Sequence, residues 1–355
     1  MVALSGEFPA DQLTRLIPSP SYGEKLITEL KAQKLLRTHY RDHLRGYRLT
    51  GRAKQMLLAQ NPERFRDFLT GNTETNQVRS EVTRRLRLYQ KAETYLTLLS
   101  AGIPFFADQK PDIFREGREA GILTMGHLPL FYSSREFMHI RSEATKIRNS
   151  RSMTLLLAPH CPSALYNTGD HVLKWEYRTE VRLNAFLQHY LQDFPYTGHP
   201  KVRAILTGKD MDTAYQLLTS TGGYKKSLFV ADTSYEHFHY LPNTPEGETL
   251  LKLLVRPRLM KQLDQLLLSD LGSRQPDLPI DHDGVDASGN PAVLAYDFDL
   301  HRINRFNTGL NVYGRKGVMI CFDFQIPCLK RYLTADIRFS SIDLSKFRKG
   351  FLHEP

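Results

Sequence analysis

The alternation of hydrophobic and polar residues over the first sixty positions predicts short helices around a hairpin. An amphipathic helix is predicted at 11–17, ending before Pro18, and a second helix at 22–33, where apolar residues recur at helical spacing. Ser21 and Glu24 have the S-x-x-E spacing of a capping box at the start of that second helix. The pattern therefore predicts two consecutive helices near the N-terminus.

Two strands are predicted next, at 35–40 and 47–49. The polar segment between them includes Gly46, which is free to take a positive φ in the turn. Thr50 is expected to cap a further helix that ends near Asn61-Pro62. Helices, a two-stranded wing and another helix follow one another in the order of a winged helix-turn-helix.

This order places several basic residues where DNA would lie. The major groove is about 12 Å wide and accepts the helix at 22–33, while the wing lies beside the phosphates. The first three lysines of the set below would contact the groove and its flanks. Its first three arginines would bind phosphates from the wing, and Arg52 and Lys54 would contact the DNA backbone from the following helix. The candidate DNA-binding residues are Lys25, Lys31, Lys34, Arg41, Arg45, Arg48, Arg52 and Lys54.

A long helix is predicted at 74–100, with one apolar seam at steps of three and four residues. The seam consists of Val78, Val82, Leu86, Tyr89, Leu96 and Leu99. Such a helix links two domains, pairs with its copy in a dimer, or lies along DNA. We expect a connecting helix packed on the second domain.

Strand-like segments, among them Phe131-Tyr132 and 153–158, alternate with helix-like segments, among them Leu250 to Leu271, in the rest of the chain, which favours a mixed α/β domain. The predicted class is thus α+β or α/β. We expect a winged helix at 1–62, connecting helices at 63–102 and a mixed α/β domain at 103–355. The segment 272–291 is rich in Gly, Pro, Asp and Ser, so a further boundary there stays open.

Charge changes this picture by suggesting a partner. The chain has 355 residues and a formal net charge of +10, and its first 100 residues hold 17 Lys and Arg against 10 Asp and Glu. Concentrated positive charge attracts polyanions, of which nucleic acid is the commonest. The alternative is a solvated basic face with no partner.

Composition excludes several other classes. Hydrophobic residues make up 41% of the chain and charged residues 24%, as in globular proteins rather than disordered ones. No apolar run is long enough for a membrane span, and the N-terminus has no basic and apolar regions of a secretory signal. Three cysteines in no paired motif indicate a reducing compartment. We therefore expect a cytoplasmic protein that contacts no membrane.

One pattern raises the alternative of a metal-dependent nuclease. Asp112 follows a proline, and Glu136 or Glu143 with Lys146 could complete two acids and a lysine around Mg²⁺. The spacing Glu143-x-x-Lys146 is one residue longer than a strand needs to present both side chains on one face. No cofactor is expected unless this alternative holds, and the catalytic residues stay unassigned.

A second weak signal for a metal is the pair His237 and His239, which is the H-x-H arrangement used by rolling-circle relaxases. Ordinary strand or loop histidines are the alternative that we favour. The sequence contains no P-loop, no G-x-S-x-G and no H-E-x-x-H motif.

The segment Tyr47-Arg48-Leu49-Thr50 resembles the Y-x-L-T-x-x-G segment that closes the wing in many bacterial winged-helix proteins, with the glycine at 51 instead. Together with the connecting helix and Pro111-Asp112, it resembles the replication-relaxation proteins of Gram-positive plasmids and integrative elements. The resemblance covers about the first 115 residues and implies DNA binding near origins of replication or transfer. It carries over no catalytic residue.

The sequence therefore predicts a sequence-specific DNA-binding protein of a mobile element, acting in plasmid replication, transfer or its regulation. Its expected partner is double-stranded DNA. Whether the chain also forms a homodimer or joins a replication or transfer complex stays open. A metal-dependent nickase or nuclease targeted by the winged helix, or a winged-helix module that docks on protein, are the alternatives.

Overall fold

A computed structural model divides the chain into a first unit, Met1–Asp112, and a second unit, Ile113–Pro355. The predicted connecting segment 63–102 lies within the first unit. The described residues contain helices and three sheets, so the protein is mixed α and β as predicted. The structure describes residues 1–114, 124–133, 136, 147, 150–152, 154–192, 195–196, 198–222 and 228–352.

The first unit begins with a helix and a strand that the sequence pattern did not predict. The predicted helix at 11–17 is a 3₁₀ turn at Ala10–Gln12 followed by one turn of α-helix. Its elements in chain order are α1 (Val2–Ser5), β1 (Phe8–Pro9), α2 (Leu13–Leu16), α3 (Pro20–Ala32), β2 (Leu36–Arg41), β3 (Leu44–Leu49), α4 (Gly51–Gln60), α5 (Pro62–Leu69) and α6 (Val82–Ser100).

The start of α3 corrects the predicted capping box. The helix begins at Pro20 after Ser19, so Ser21 and Glu24 lie inside it and do not form a cap. Proline is well suited to the first helical position because its φ is already helical and its missing N–H would have no partner there. The helix buries Ile27, which belongs to its regularly spaced apolar residues, and also Gly23.

The three strands of the first unit form one antiparallel sheet in the order β1-β3-β2. The sheet, α3 and α6 enclose a small core, since apolar side chains of all three meet there. The buried members of this core are Phe8, Ile27, Leu36, Tyr47, Ala92 and Leu96.

The hairpin turn is tighter than the sequence pattern predicts. Arg41 pairs with Leu44, so the loop contains only Asp42 and His43, with φ of 53° and 60°. Two central residues with positive φ define a type I′ turn, whose twist matches that of the strands. Gly46 therefore lies in strand β3 rather than in the turn, contrary to the prediction.

Helix α6 begins eight residues later than predicted and turns a different face inward. Val82 and Leu86 of the predicted seam are 41% and 43% exposed. The buried face instead includes Arg85, Leu88 and Ala92. The prediction holds for Leu96, which is buried, but is wrong for Val82 and Leu86, because a buried arginine that the hydrophobic pattern assigns to the surface lies at the centre of this face.

The second unit contains the helices and strands of a larger mixed domain. Its elements in the described residues are β4 (Leu130–Ser133), β5 (Thr154–Leu157), β6 (Pro162–Gly169), α7 (Tyr177–Tyr190), β7 (Arg203–Gly208), α8 (Met211–Thr219), β8 (Phe238–Pro242), α9 (Pro245–Leu254), α10 (Pro257–Leu268), β9 (Gly284–Val285), β10 (Pro291–Leu294), α11 (Leu300–Tyr313), β11 (Gly317–Phe322), α12 (Ile326–Tyr332), β12 (Ile337–Ile342) and α13 (Leu344–Gly350).

Two sheets organise this unit. The first has the order β4-β5-β6-β7-β8, with antiparallel pairs up to β6 and parallel pairs from β6 to β8. The second has the order β12-β11-β10-β9, and only its β9–β10 pair is antiparallel. Buried side chains of both sheets, including Tyr166, Leu206, Val293 and Met319, belong to one hydrophobic core.

The sequence pattern merged two helices of this unit into one, predicted from Leu250 to Leu271. The structure has α9 and α10, separated where Pro257 opens the second helix. Proline lacks the N–H that a continuous helix would need, so the break follows from local chemistry. The predicted strands at Phe131-Tyr132 and within 153–158 are present as β4 and β5.

Candidate nucleic-acid interface

The outward face of α3 carries one exposed lysine of the candidate set. Lys25 points away from the buried positions Gly23 and Ile27. Lys31 lies at the flank of the helix, half-buried, with its ammonium 5.7 Å from the centre of the Tyr47 ring. Lys25 is therefore free to enter a groove, whereas Lys31 is partly held by the sheet.

Lys34 follows α3 at the point where the chain turns into the hairpin. It has a positive φ of 57°, and its carbonyl accepts a hydrogen bond of 2.6 Å from the Thr50 hydroxyl. Thr50 also caps α4 as predicted, since its side chain accepts from the Ala53 N–H at 3.2 Å. One threonine thus joins the end of α3 to the start of α4 and fixes the exposed Lys34 between them.

The hairpin tip exposes Arg41 and Arg45 on opposite faces of the ribbon. Arg45 pairs with Tyr40 across the strands, and Arg41 pairs with Leu44. Arg41 also lies 3.4 Å from the carboxylate of its neighbour Asp42, at the exposed end of the turn. Such an exposed pair contributes little to stability, so the guanidinium remains available to a stronger anion.

On α4, the two candidate cations differ. Arg52 is exposed in the first turn. Lys54 is half-buried and its ammonium donates hydrogen bonds to the side-chain and main-chain oxygens of Asn76. Burial first, and then the charge of Arg37, lower the pKa of Lys54. Arg52 thus fits the predicted role, whereas Lys54 faces inward.

Arg48 does not lie on the surface, which corrects its place among the phosphate-binding residues. It is 3% exposed, and its guanidinium donates two hydrogen bonds to one oxygen of Glu7, at 2.7 and 2.9 Å. Its remaining contacts are with Arg79 and Ser80. Arg48 therefore holds the first unit together and is withdrawn from the DNA-contacting set.

Glu7 and its partners form a buried charged cluster that sequence reasoning missed. We call Glu7, Arg48, Arg85 and Tyr89 the Glu7 cluster. The Arg85 guanidinium donates to the Glu7 carboxylate at 2.6 and 3.1 Å, and the Tyr89 hydroxyl lies 3.3 Å from it. Glu7 and Arg85 have no exposed surface. One carboxylate is therefore shared between two buried guanidinium groups.

Gly46 makes room for this cluster. A side chain at Gly46 would collide with the Glu7 carboxylate and the Tyr89 hydroxyl, since both lie closer than any Cβ contact allows. The glycine in β3 is thus required by a close approach.

Arg85 also holds the hairpin from within. Its guanidinium donates to three main-chain carbonyls of the hairpin: Arg41 at 2.6 Å, Leu44 at 2.9 Å and His39 at 3.3 Å. Arginine offers five N–H donors in a rigid plane, so one side chain can hold several acceptors. The residues on both sides of the turn are therefore positioned by a buried group in α6.

Two exposed residues of the hairpin were not among the sequence candidates. Arg37 is exposed in β2, and Tyr40 is 67% exposed beside the tip. Successive residues of a strand point to opposite faces. That alternation was the available signal for Arg37, because its neighbour Leu36 is buried.

The structure describes only part of the nuclease alternative. Glu143 and Lys146 lie outside the described residues. Glu136 lies after β4, and its carboxylate accepts hydrogen bonds from the main-chain N–H and the hydroxyl of Ser133, at 2.7 and 2.8 Å. Asp112 is the last residue of the first unit. Strands β5 and β6 carry no acidic residue and no lysine, so they supply no metal ligands of this kind.

The two histidines of the H-x-H pair join β8 to a neighbouring segment. His237 lies 2.7 Å from an oxygen of Asp299, and His239 lies 3.1 Å from the carbonyl of Asp297. The hydrogen bond that His237 makes to the Asp299 carboxylate raises the pKa of His237. Burial, and then the charge of Arg203, lower the pKa of His239 to about 3. Within the described residues, no three His, Cys, Asp or Glu side chains are grouped to hold a metal ion.

Comparison with known proteins adds no relative: no family model, no curated protein and no solved structure matches this chain. In the part of the chain that the structure describes, every helix is too short or too polar to cross a membrane.

Proposed function

We propose that this chain is a sequence-specific DNA-binding protein of a mobile element, acting in plasmid replication, transfer or its regulation. The first unit is a winged helix, with α3 in the major groove and the β2–β3 hairpin on the neighbouring phosphates. The order of its elements supports this proposal: α1, β1, α2, α3, β2 and β3 follow one another, and the sheet has the order β1-β3-β2.

The observation that carries the proposal is the support of the hairpin tip by Arg85. A tip whose carbonyls are held by a buried guanidinium is preorganised, and the exposed Arg41 and Arg45 project from it. Cations on a preorganised element lose less conformational entropy when they bind phosphates. The geometry thus suits a wing that lies on a DNA backbone.

The outward face of α3 suits base contacts better than phosphate contacts. The exposed residues of the helix include Ser21, Tyr22, Glu24, Lys25, Thr28 and Glu29, so acidic and basic groups occur together there. Hydroxyl, amine and aromatic groups match the donors, acceptors and thymine methyl groups of the major groove. In this proposal the hairpin supplies affinity and α3 supplies the choice of sequence.

The test is binding of the full chain to labelled duplex DNA from the neighbourhood of its gene, titrated with salt. Each neutralised phosphate contributes a slope of about −0.9 in log affinity against log salt. We expect Arg41→Ala with Arg45→Ala to weaken binding to every duplex and to reduce the slope by about 1–2 units.

A matched control is Arg315→Ala with Lys316→Ala, which removes two exposed positive charges from the second unit. Unchanged affinity in the hairpin variant, or an equal loss in the control, would remove the hairpin from the proposal. Mg²⁺ is added to half of the samples, and nicked DNA that appears only there would support the nuclease alternative instead. Absence of any binding would favour the protein-docking alternative.

A further inference from the structure

A cleft of about 180 Å³ opens in the first unit beside the Glu7 cluster. Since a water molecule occupies about 30 Å³, the cleft has room for a small ion with several waters. Its polar lining comes from the sheet, from α4 and from the turn that precedes α6. The polar lining side chains are Arg37, Arg48, Lys54, Thr75, Asn76 and Gln77.

Three of these lining residues are cations, and no carboxylate lines the cleft. Among the residues that the structure describes, none forms a hydrogen bond or ion pair with the Arg37 guanidinium. In the described part of the chain, Lys54 donates only to the neutral oxygens of Asn76. Arg48 contacts Glu7, but that carboxylate is shared with Arg85. The cleft therefore has an excess of positive charge.

The polar side of the cleft is rigidly built. The Asn76 side chain donates to the Gly71 carbonyl at 2.9 Å, which turns its oxygen toward Lys54 at 3.0 Å. The Gln77 side chain donates to Asn72 at 2.8 Å. A site whose polar groups are already oriented binds an ion with little ordering.

Lys54 shows the effect of this positive charge within the cleft. Burial first, and then the charge of Arg37, lower the pKa of Lys54. An anion between the two side chains would offset the repulsion between them.

We propose that this cleft is a binding site for one phosphate-type oxyanion, held by Arg37 and Lys54, with Arg48 adding positive charge to its wall. Arginine and lysine together suit such an ion, since the guanidinium offers paired donors and the ammonium a concentrated charge. The ion is either free phosphate or a single phosphate of a DNA backbone. The inference goes beyond the proposed function, because the first of these needs no DNA.

The test is calorimetric titration of the full chain with inorganic phosphate, at constant ionic strength with chloride. We expect one phosphate per chain, and affinity about tenfold weaker in Arg37→Gln and in Lys54→Gln, since each removes a charge-assisted hydrogen bond. Arg45→Gln is the matched control at the hairpin tip and should bind phosphate like the parent chain. Arg37→Gln removes no bond seen in the described residues, so it should fold normally.

If the parent chain binds no free phosphate, the same variants are titrated with duplex DNA. A loss of affinity in both cleft variants, with a salt slope reduced by about 1, would identify the ion as a DNA phosphate. The proposal is overturned if the cleft variants alter neither titration, or if Arg45→Gln weakens phosphate binding as much as they do. Phosphate binding by a chain that binds no DNA would keep the cleft and reject the proposed function.

Discussion

Replacing Glu7 with glutamine should destabilise the first unit more than the replacement of any exposed residue in that unit. The Glu7 carboxylate accepts hydrogen bonds from both Arg48 and Arg85, and all three side chains are buried. Glutamine would leave two guanidinium groups without a counter-charge and would turn an amide N–H toward their donors. The change keeps the size of the side chain, so its effect reports the charge.

The expected loss follows from the number of contacts. Removing one partner of a buried ion pair destabilises a protein by about 3–5 kcal/mol. Arg85 keeps its bonds to the carbonyls of Arg41 and Leu44, which places the loss near the lower end of that range. A domain has a total stability of about 5–15 kcal/mol, so Glu7→Gln should lose a large part of what the first unit has.

The assay uses the single tryptophan of the chain. Trp175 is buried in the second unit, so its fluorescence reports the unfolding of that unit, whereas far-ultraviolet circular dichroism reports both. In urea titrations, Glu7→Gln should move part of the dichroism transition to lower urea and leave the fluorescence midpoint where it is in the parent chain.

Glu24→Gln provides the control, since Glu24 is an exposed glutamate of α3 in the same unit. The free energy of unfolding of this variant should differ from that of the parent chain by less than about 0.5 kcal/mol. A loss below about 1 kcal/mol in Glu7→Gln would refute the reasoning about the buried charges. A parallel shift of the Trp175 fluorescence would refute the assignment of the effect to the first unit.

Three further changes test other parts of the structure. Thr50→Ala removes the cap on the Ala53 N–H and should cost about 1 kcal/mol in a urea titration, whereas Thr50→Ser should restore it. Gly46→Ala should destabilise the first unit by about 1–3 kcal/mol, because the new methyl group displaces the Glu7 carboxylate. The pKa of His239 is lowered to about 3 in the folded protein, whereas the unfolded chain binds this proton near pH 6.5. The unfolded state therefore binds more protons below pH 6.5, so the free energy of unfolding should fall as the pH falls below that value. His239→Asn should flatten this dependence by about 1.4 kcal/mol per pH unit between pH 6 and 4, and an unchanged slope would contradict it.

Some residues of the candidate interface could be predicted from nearby residues in the chain, and others could not. The exposure of Lys25, Arg41 and Arg45 follows from helical spacing and from the strands around a turn, which a single sequence carries. The burial of Arg48 could not be predicted, because its partner Glu7 lies 41 residues away. Sequence patterns place such an arginine on the surface, because arginine is almost never fully buried unless it is paired.

The amino-acid sequence by itself determined some of the local elements of this protein. Spacing, a threonine cap and prolines predicted α3, the two hairpin strands and α4, because these depend on residues close in the chain, whereas α1, β1 and the two-residue turn were not predicted. Tertiary structure alone decided which face of α6 is buried, since Arg85 is drawn inward by Glu7 and by the hairpin carbonyls. Those acceptors are separated from Arg85 by 41–78 residues, and such pairings exist only after the chain has folded.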